Sequence, residues 1–379
     1  MAELTQGQEG LIKLLADGHW HSGDALAKQL ACSRSAVSQT VSRIATYFGA
    51  GCRLLRDPKK GYRLMLPAGL LNSELIDDYL NSESLKIPRT SITVETVLSC
   101  KSTNRLMAEK LRHTAGRGLE NPAPSLPEAY HFIFADHQNA GQGRRGRTWN
   151  SALGHAMLMS CGFILDTGRA SIEGLSLAVG LSMLEAVRSF GFSQVQLKWP
   201  NDLIVSSHAS ASSPSCIESP YCKLGGILIE LSGALQEQVL VVVGVGLNIG
   251  PYESHHSADL EHTSRPIGLQ QLANDQNTAA PDVSMLAART IATLTAKLAS
   301  YQREGFAPLV DSWNTNAAFI NEAVRLYPAG VESDNYIQGI FRGVDKWGRL
   351  QLEDDMGVLA SYSGGELSSG LSSSLRPYY

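Results

Sequence analysis

The sequence predicts an α+β, multidomain chain: a winged helix-turn-helix at the N-terminus, a central mixed-sheet α/β domain, and a small C-terminal β-barrel. Three observations carry this expectation. The chain is 379 residues long, which suggests two to three domains. Its N-terminal stretch shows helical apolar spacing on short segments followed by two strand-like runs. Its last stretch, from Ala323 onward, is a series of short alternating runs with turn residues between them.

The N-terminal module comes first. "HSGDALAKQLACSRSAVSQTVSRIATYFGA" gives a short helix over about 23–30, a turn through Ala31 and Cys32, and a second helix whose first turn Ser33 can cap. Val37, Val41, Ile44 and Phe48 form one buried stripe on that second helix. Its other face offers Ser33, Arg34, Ser35, Ser38, Gln39, Ser42 and Arg43, short polar and basic groups suited to phosphates and base edges in a major groove. "CRLLRDPKKGYRLML" then supplies two strands around a turn with Lys59 and Lys60 at its tip, the wing. The alternative is a small helical interaction module with a solvated polar face. Charge separates the two ends: 1–66 carries +4, while the whole chain carries −4, which points to a separate nucleic-acid-contacting module at the N-terminal end.

A polar linker over 67–90 leads to the central domain, 91–319. "SITVETVLSC" is a strand, and Ser102 or Thr103 caps the helix that follows. The stretch 113–127 reads as a loop, and "YHFIFADHQ" and "MLMSCGFIL" as strands. "SIEGLSLAVGLSMLEAVRSFG" is an amphipathic helix ended by Gly191. Three strand-like pieces follow: "VQLKWPNDLIV", "KLGGILIELS" and "QVLVVVGVGLNIG". A serine-rich insertion, Ser206 to Tyr221, separates the first two. Helices are expected over 285–301 and 306–319, and the C-terminal domain over 320–379. No apolar run approaches the roughly 20 residues of a membrane span. The six cysteines show no CxxC pair, and no secretory signal precedes them. Free thiols in a reducing, cytoplasmic setting are expected.

The chemistry gathers around "AGQGRRGRTWNS". Gly141 to Gly146 formally matches G-x-G-x-x-G, but the stretch runs on through Gly154 to a strand rather than opening a helix, so the dinucleotide fingerprint fails. No GxxxxGK[ST] phosphate loop exists. Glycines with Arg144, Arg145 and Arg147 can still enclose an anion, amides approaching closely and guanidinium forks matching carboxylate or phosphate oxygens. A solvated basic loop is the alternative for this stretch taken alone. Beyond it, "KWPNDL" places Lys198, Asn201 and Asp202 at a strand end, "KLGGILIEL" brings Lys223 beside two glycines, and "GVGLNIG" ends a buried strand with Asn248.

In order and spacing these motifs resemble the biotin–protein ligase family; with the N-terminal winged helix, the chain resembles its bacterial bifunctional members, which are also biotin operon repressors. The resemblance covers almost the whole chain. It implies a class II synthetase-like central domain and an SH3-like C-terminal barrel. It also implies an ATP-dependent enzyme that joins biotin and ATP into biotinyl-5'-AMP and then biotinylates a lysine of the biotin carboxyl carrier protein of acetyl-CoA carboxylase. By resemblance, Ser102, Thr103, Asn104, Gln138, Gln142, Gly143, Arg144 and Lys223 hold biotin, and Arg147, Trp149, Asn201, Asp202 and Asn248 hold ATP or the adenylate. Arg144, Lys198 and Lys223 are the catalytic cations. Asp202 either binds Mg2+ or orients a neighbouring lysine. The resemblance further implies that the adenylate-loaded protein dimerises and binds the biotin operator. One departure stands out: the family's usual loop has arginine where this chain has Gln142. Two alternatives stay open, a lipoate–protein ligase-like enzyme and a repressor that only senses a ligand. Because every ligase motif lies beyond Ser99, the two activities are expected to be modular.

Overall fold

The computed structural model describes residues 4–48, 53–82, 91–118, 129–166, 172–206, 221–235, 238–251, 265–328 and 335–369. The N-terminal module is built from α1 (Gln6–Leu15), α2 (Gly23–Gln29), α3 (Arg34–Phe48) and the antiparallel pair β1 (Arg53–Asp57) and β2 (Gly61–Met65). Helix α1 was unread in the sequence, although Thr5 and Gln8 cap each other reciprocally at its start. Ser33 Oγ accepts from the Ala36 amide at the head of α3, and Val37, Val41, Ile44 and Phe48 are its buried residues. At the wing tip Asp57 accepts from the amides of Lys59 and Lys60, 2.8 Å each. Gly61 follows with φ 96°, its α-carbon so close to the His21 carbonyl that a side chain has no room.

The 67–90 stretch, expected to be a linker, contains α4 (Ser73–Ser82). Asn72 caps it by accepting from Glu74 and Leu75, and Ile76 and Leu80 are buried on the main core. The central sheet has seven strands in the order β3–β4–β7–β11–β10–β9–β8. They are β3 (Ile92–Val97), β4 (Tyr130–Ala135), β7 (Ala156–Asp166), β8 (Val195–Lys198), β9 (Asp202–Ser206), β10 (Tyr221–Leu235) and β11 (Gln238–Asn248). Only β3 and β4 pair in parallel, so the sheet is mixed. The run "VQLKWPNDLIV" is not one strand but the hairpin β8–β9, folded back at Trp199, Pro200 and Asn201. Two strand residues, Ser206 and Tyr221, face each other across β9 and β10; 207–220 lies outside the described residues.

On one face of this sheet lie α6 (Leu175–Arg188) and α8 (Val283–Glu304), which carry the main core with α4. On the other face lies α5 (Thr103–Gly118), packing Met107 and Leu111 on Ile133, Leu240 and Val242. The helix runs to Gly118, into the stretch expected to be a loop from residue 113; 119–128 lies outside the described residues. The expected helix over 306–319 is a 3-10 turn followed by the shorter α9 (Val310–Asn316), and α7 (Leu269–Asp275) was not foreseen. The C-terminal strands β12 (Ala323–Tyr327), β13 (Ile337–Val344), β14 (Leu350–Glu353), β15 (Leu359–Tyr362) and β16 (Glu366–Ser369) form one antiparallel five-stranded sheet. It shares the main core, and the Trp199 indole donates to the Gly348 carbonyl at 3.1 Å, so Trp199 is a packing residue.

The winged module and the central domain share apolar packing. The apolar core of the winged module is completed by Leu98 and Leu153, both from the central domain. Leu98 follows β3, and Leu153 closes the glycine-arginine stretch. Cys222 is disulfide-bonded, which corrects the expectation of free thiols throughout; Cys32, Cys100 and Cys161 are free. Spacing without a CxxC pair gave no sign of that bond. No helix among the described residues is long and apolar enough to cross a membrane.

Candidate ligand and catalytic site

The site lies on the α5 face of the central sheet, and its floor is glycine. Alternation points Met157, Met159, Cys161, Val241, Val243 and Val245 into the main core, and turns Ser160, Gly162, Gly244 and Gly246 toward α5. A Cβ at Gly244 would run into Asn104, and one at Gly246 would lie 2.5 Å from the Trp149 indole. The sheet is stripped of side chains where the helix start and the tryptophan lie on it.

At one end of this floor the head of α5 is tied down by polar contacts. Gln138 Oε1 accepts from the Thr103 amide at 2.6 Å and from its hydroxyl at 3.1 Å. Buried Ser160 Oγ lies 2.7 Å from Thr103 Oγ1 and 2.6 Å from Asn104 Oδ1, and Asn104 Nδ2 donates to Glu230 at 2.6 Å. Ser102 Oγ caps the helix through the Arg105 amide. The structure thus brings Ser102, Thr103, Asn104 and Gln138 together, and adds Ser160 and Glu230, which sequence reading missed.

The other end holds the cations. Asp202, at the start of β9, faces Lys223 Nζ at 2.7 Å and Lys198 Nζ at 3.9 Å. Burial alone would raise the Asp202 carboxyl, but Lys223, Lys198 and Arg144 hold it below its ordinary value. Burial alone would lower the Lys198 ammonium; Tyr221, whose ring lies 5.0 Å away, and Asp202 instead hold it above its ordinary value. Arg144 donates to Asn201 Oδ1 at 3.0 Å, and Asn201 Nδ2 donates to the Ile227 carbonyl, so the loop is fastened to the β8–β9 turn. Asn248 Nδ2 donates to the Lys223 carbonyl at 3.3 Å, which makes Asn248 a support for that lysine. Trp149 spans both ends. Lys223 Nζ stands 6.0 Å from its ring, and its indole nitrogen is buried without a hydrogen-bond partner among the described residues.

Asp202 does not fit a resident metal ion. Its carboxylate is already neutralised by two ammonium groups, and no group of three or more His, Cys, Asp or Glu suited to a metal occurs among the described residues. Mg2+ at Asp202 is therefore set aside in favour of the lysine-orienting role. Gln142 is exposed and Gly143 half-buried, in the short hairpin β5 (Gly141–Gln142) and β6 (Thr148–Trp149).

Arg147 does not join the cation cluster directly. It pairs with Glu366 of β16 at 2.8 Å, and Arg145 approaches the same carboxylate at 3.8 Å. Arg145 takes φ 57°, a left-handed backbone that an arginine rarely adopts. Glu366, against the pull of burial, is held below its ordinary value by those arginines. The C-terminal sheet thus latches the loop. Glu366→Gln is expected to loosen it and to shorten retention of a loop-covered ligand several-fold, the effect of one charge-assisted contact in a partly exposed pair. Ligand dissociation rates, parent against variant, check this; an unchanged rate rules the latch out.

The recognition face of α3 is open to solvent at Ser33, Arg34, Ser35, Gln39, Ser42 and Arg43, with Ser38 half-buried; Lys59 and Lys60 are exposed on the wing. Arg56 of β1, not foreseen, donates to Ser42 Oγ at 3.2 Å and so aligns wing with helix.

One titratable group ties the segment after β4 to the N-terminal side. Asp136 is buried, accepts from the Leu71 amide at 2.8 Å, and is pushed up to about 7 by burial. Its raised value means that the folded state holds an extra proton from near the ordinary carboxylate value up to about 7, so ionisation costs stability that is fully felt above that pH. Asp136→Asn keeps an acceptor for Leu71 and is expected to raise the melting temperature at pH 8 while changing it little at pH 4. An equal shift at both pH values sinks this.

Comparison with known proteins agrees with this layout. Residues 101–248 match the model of the biotin/lipoate A/B protein ligase family, and residues 8–63 match an HTH domain. Bifunctional ligase/repressor BirA of Escherichia coli (strain K12) is 33% identical over 360 residues, covering 94% of this chain and 95% of its own. Biotin--[acetyl-CoA-carboxylase] ligase of Mycobacterium tuberculosis is 30% identical over 225 residues, 58% of this chain and 72% of its own. Among solved structures, biotin protein ligase from Aquifex aeolicus, determined with biotin and ATP, aligns with a TM-score of 0.52 at 21% identity, covering 73% of this chain and 97% of that one. The last likeness is one of fold.

Proposed function

The chain belongs to the bifunctional ligase/repressor family, and on that premise we propose that it makes biotinyl-5'-AMP from biotin and ATP, biotinylates a carrier protein, and represses transcription as a DNA-binding protein. The observation that carries the enzymatic half is the cation cluster around Asp202, set at the end of a glycine floor whose other end is the Thr103–Gln138–Ser160 network.

The chemistry follows from charge. A biotin carboxylate oxygen attacks the α-phosphorus of ATP; the bond to the bridging oxygen breaks and pyrophosphate leaves. Two anions must meet, so the protein's task is positioning and neutralisation. Lys223 and Lys198, aligned by the shared carboxylate of Asp202, and Arg144, fastened through Asn201, supply positive charge there. In the second step a lysine amine of the acceptor attacks the mixed anhydride and AMP leaves. No enzyme nucleophile is needed, and the latched loop keeps water from the anhydride. Trp149, its indole N–H unsatisfied, covers the adenylate, and Arg147 joins through the loop. Magnesium enters as the counter-ion of the ATP phosphates.

The acceptor is the biotin carboxyl carrier protein of acetyl-CoA carboxylase. Loaded with the adenylate, two copies pair and set two α3 helices on the half-sites of the biotin operator. We take the modules to be 1–66, 91–319 and 320–379, the central one class II synthetase-like and the last an SH3-like barrel closed from its five antiparallel strands; the protein works in the cytoplasm. The test is pyrophosphate release that requires biotin and ATP together. Release driven by lipoate in place of biotin, or no release with either, overturns the reading.

A further inference from the structure

We propose that Tyr47, in the last turn of the recognition helix α3, is a positioning residue for the biotin pocket. The proposal rests on reading the Thr103–Gln138 network as that pocket. Two segments meet there. Cys100 and Asn139 exchange backbone bonds with the opposite strand of chain: Cys100 N–H donates to the His137 carbonyl, Asn139 N–H to the Cys100 carbonyl, and Ala140 N–H to the Lys101 carbonyl. Gln138, between them, reaches Thr103.

The Tyr47 hydroxyl braces both segments at once. It lies 3.2 Å from Ser99 Oγ on one and accepts from Asn139 Nδ2 at 3.3 Å on the other. Ser99 Oγ also bonds His137 Nδ1 at 3.0 Å, and the His137 ring packs edge-on against Phe48 at 4.8 Å and beside Tyr47 at 6.0 Å. Burial pushes His137 down to about 4, so the imidazole is neutral and acts as a hydrogen-bonding wedge rather than a charge. One hydroxyl from the DNA-reading helix therefore sets the spacing of the two segments that present Gln138 and Thr103. By reciprocity, filling the pocket stiffens the end of α3.

The experiment uses the full chain. Tyr47→Phe keeps the ring and deletes only the hydroxyl; Asn139→Ala removes the other partner. Each is expected to weaken biotin binding, measured by titration calorimetry with biotin alone, by about threefold to tenfold, the range one hydrogen bond between uncharged groups spans. The double variant should be no weaker than the worse single one. The KM for ATP at saturating biotin should not move. Biotin should slow amide exchange over the last turn of α3 in the parent and fail to do so in Tyr47→Phe. A Tyr47→Phe protein that binds biotin as the parent does overturns the proposal, as does equal weakening toward ATP, which marks general loosening. If Tyr47→Phe melts early, Asn139→Ala and Ser99→Ala carry the same readouts. A parent that binds no biotin overturns the ligase reading together with this one, whereas parental binding with indifferent variants overturns this one alone.

Discussion

Lys223→Met is expected to cut the rate of adenylate formation about 100- to 1,000-fold, the cost of removing one preorganised donor from a developing anion. Its side chain is 28% exposed, and its ammonium sits 2.7 Å from Asp202 and stands over the Trp149 ring, so methionine fills much of the space and removes the charge. The variant also strips Asp202 of its nearer partner, leaving Lys198 at 3.9 Å, and a buried carboxylate short of neutralisation destabilises the fold. The two effects separate in the pair Lys223→Met/Asp202→Asn. Neutralising the carboxylate should restore the melting temperature and leave the rate low. Biotin-dependent pyrophosphate release and thermal melts on the two proteins decide it. A rate that recovers with stability would mean that Lys223 acts only as a partner for Asp202.

That lysine was legible in the sequence, and so was its neighbour Lys198, because each stands in a short motif whose residue types already imply an anion. What surrounds them was not. Gly244 and Gly246 were legible only as part of the GVGLNIG strand end; that they are bare so that Asn104 and Trp149 can lie on the sheet requires knowing which helix and loop cross it. Glu366 sits 219 positions from Arg147, and no local pattern links a carboxylate in a C-terminal strand to a loop in another module. The buried face of α3 was read residue for residue, since one apolar stripe with helical spacing leaves little choice. The β8–β9 hairpin was missed although Pro200, Asn201 and Asp202 mark its turn, because the apolar residues on either side were joined into one run. Helix α4 hid within a polar stretch because only Ile76 and Leu80 face inward, although Asn72 marked its start.

Deleting residues 1–66 is expected to do more than abolish operator binding. Loss of DNA binding is complete in this expectation, because α3 and the wing, with every exposed base- and phosphate-facing group, are gone. Were the modules independent, biotin activation would be untouched. Yet Leu98 and Leu153, 8% and 1% exposed, pack into the apolar core of the winged module. Both sit on ligand-site segments: Leu98 at the start of the stretch that leads to Thr103, and Leu153 at the end of the stretch that carries Arg144 and Trp149. Uncovering a leucine costs about 1.5–3 kcal/mol, and segments that lose such an anchor relax toward conformations that no longer fit the ligand. The bound state must then restore the order, and each 1.4 kcal/mol of that cost is tenfold in affinity. A protein beginning at Pro67 keeps Leu71 and its bond to Asp136, so it tests the leucine contacts and Tyr47 without cutting the segment behind them. It should still release pyrophosphate, with a biotin KM raised tenfold or more and a kcat within a few-fold of the parent. Mobility shifts on operator DNA and initial rates over a range of biotin concentrations measure both halves. A truncated enzyme with the parental KM for biotin would show that the winged module merely rests on the ligase and does not shape its pocket.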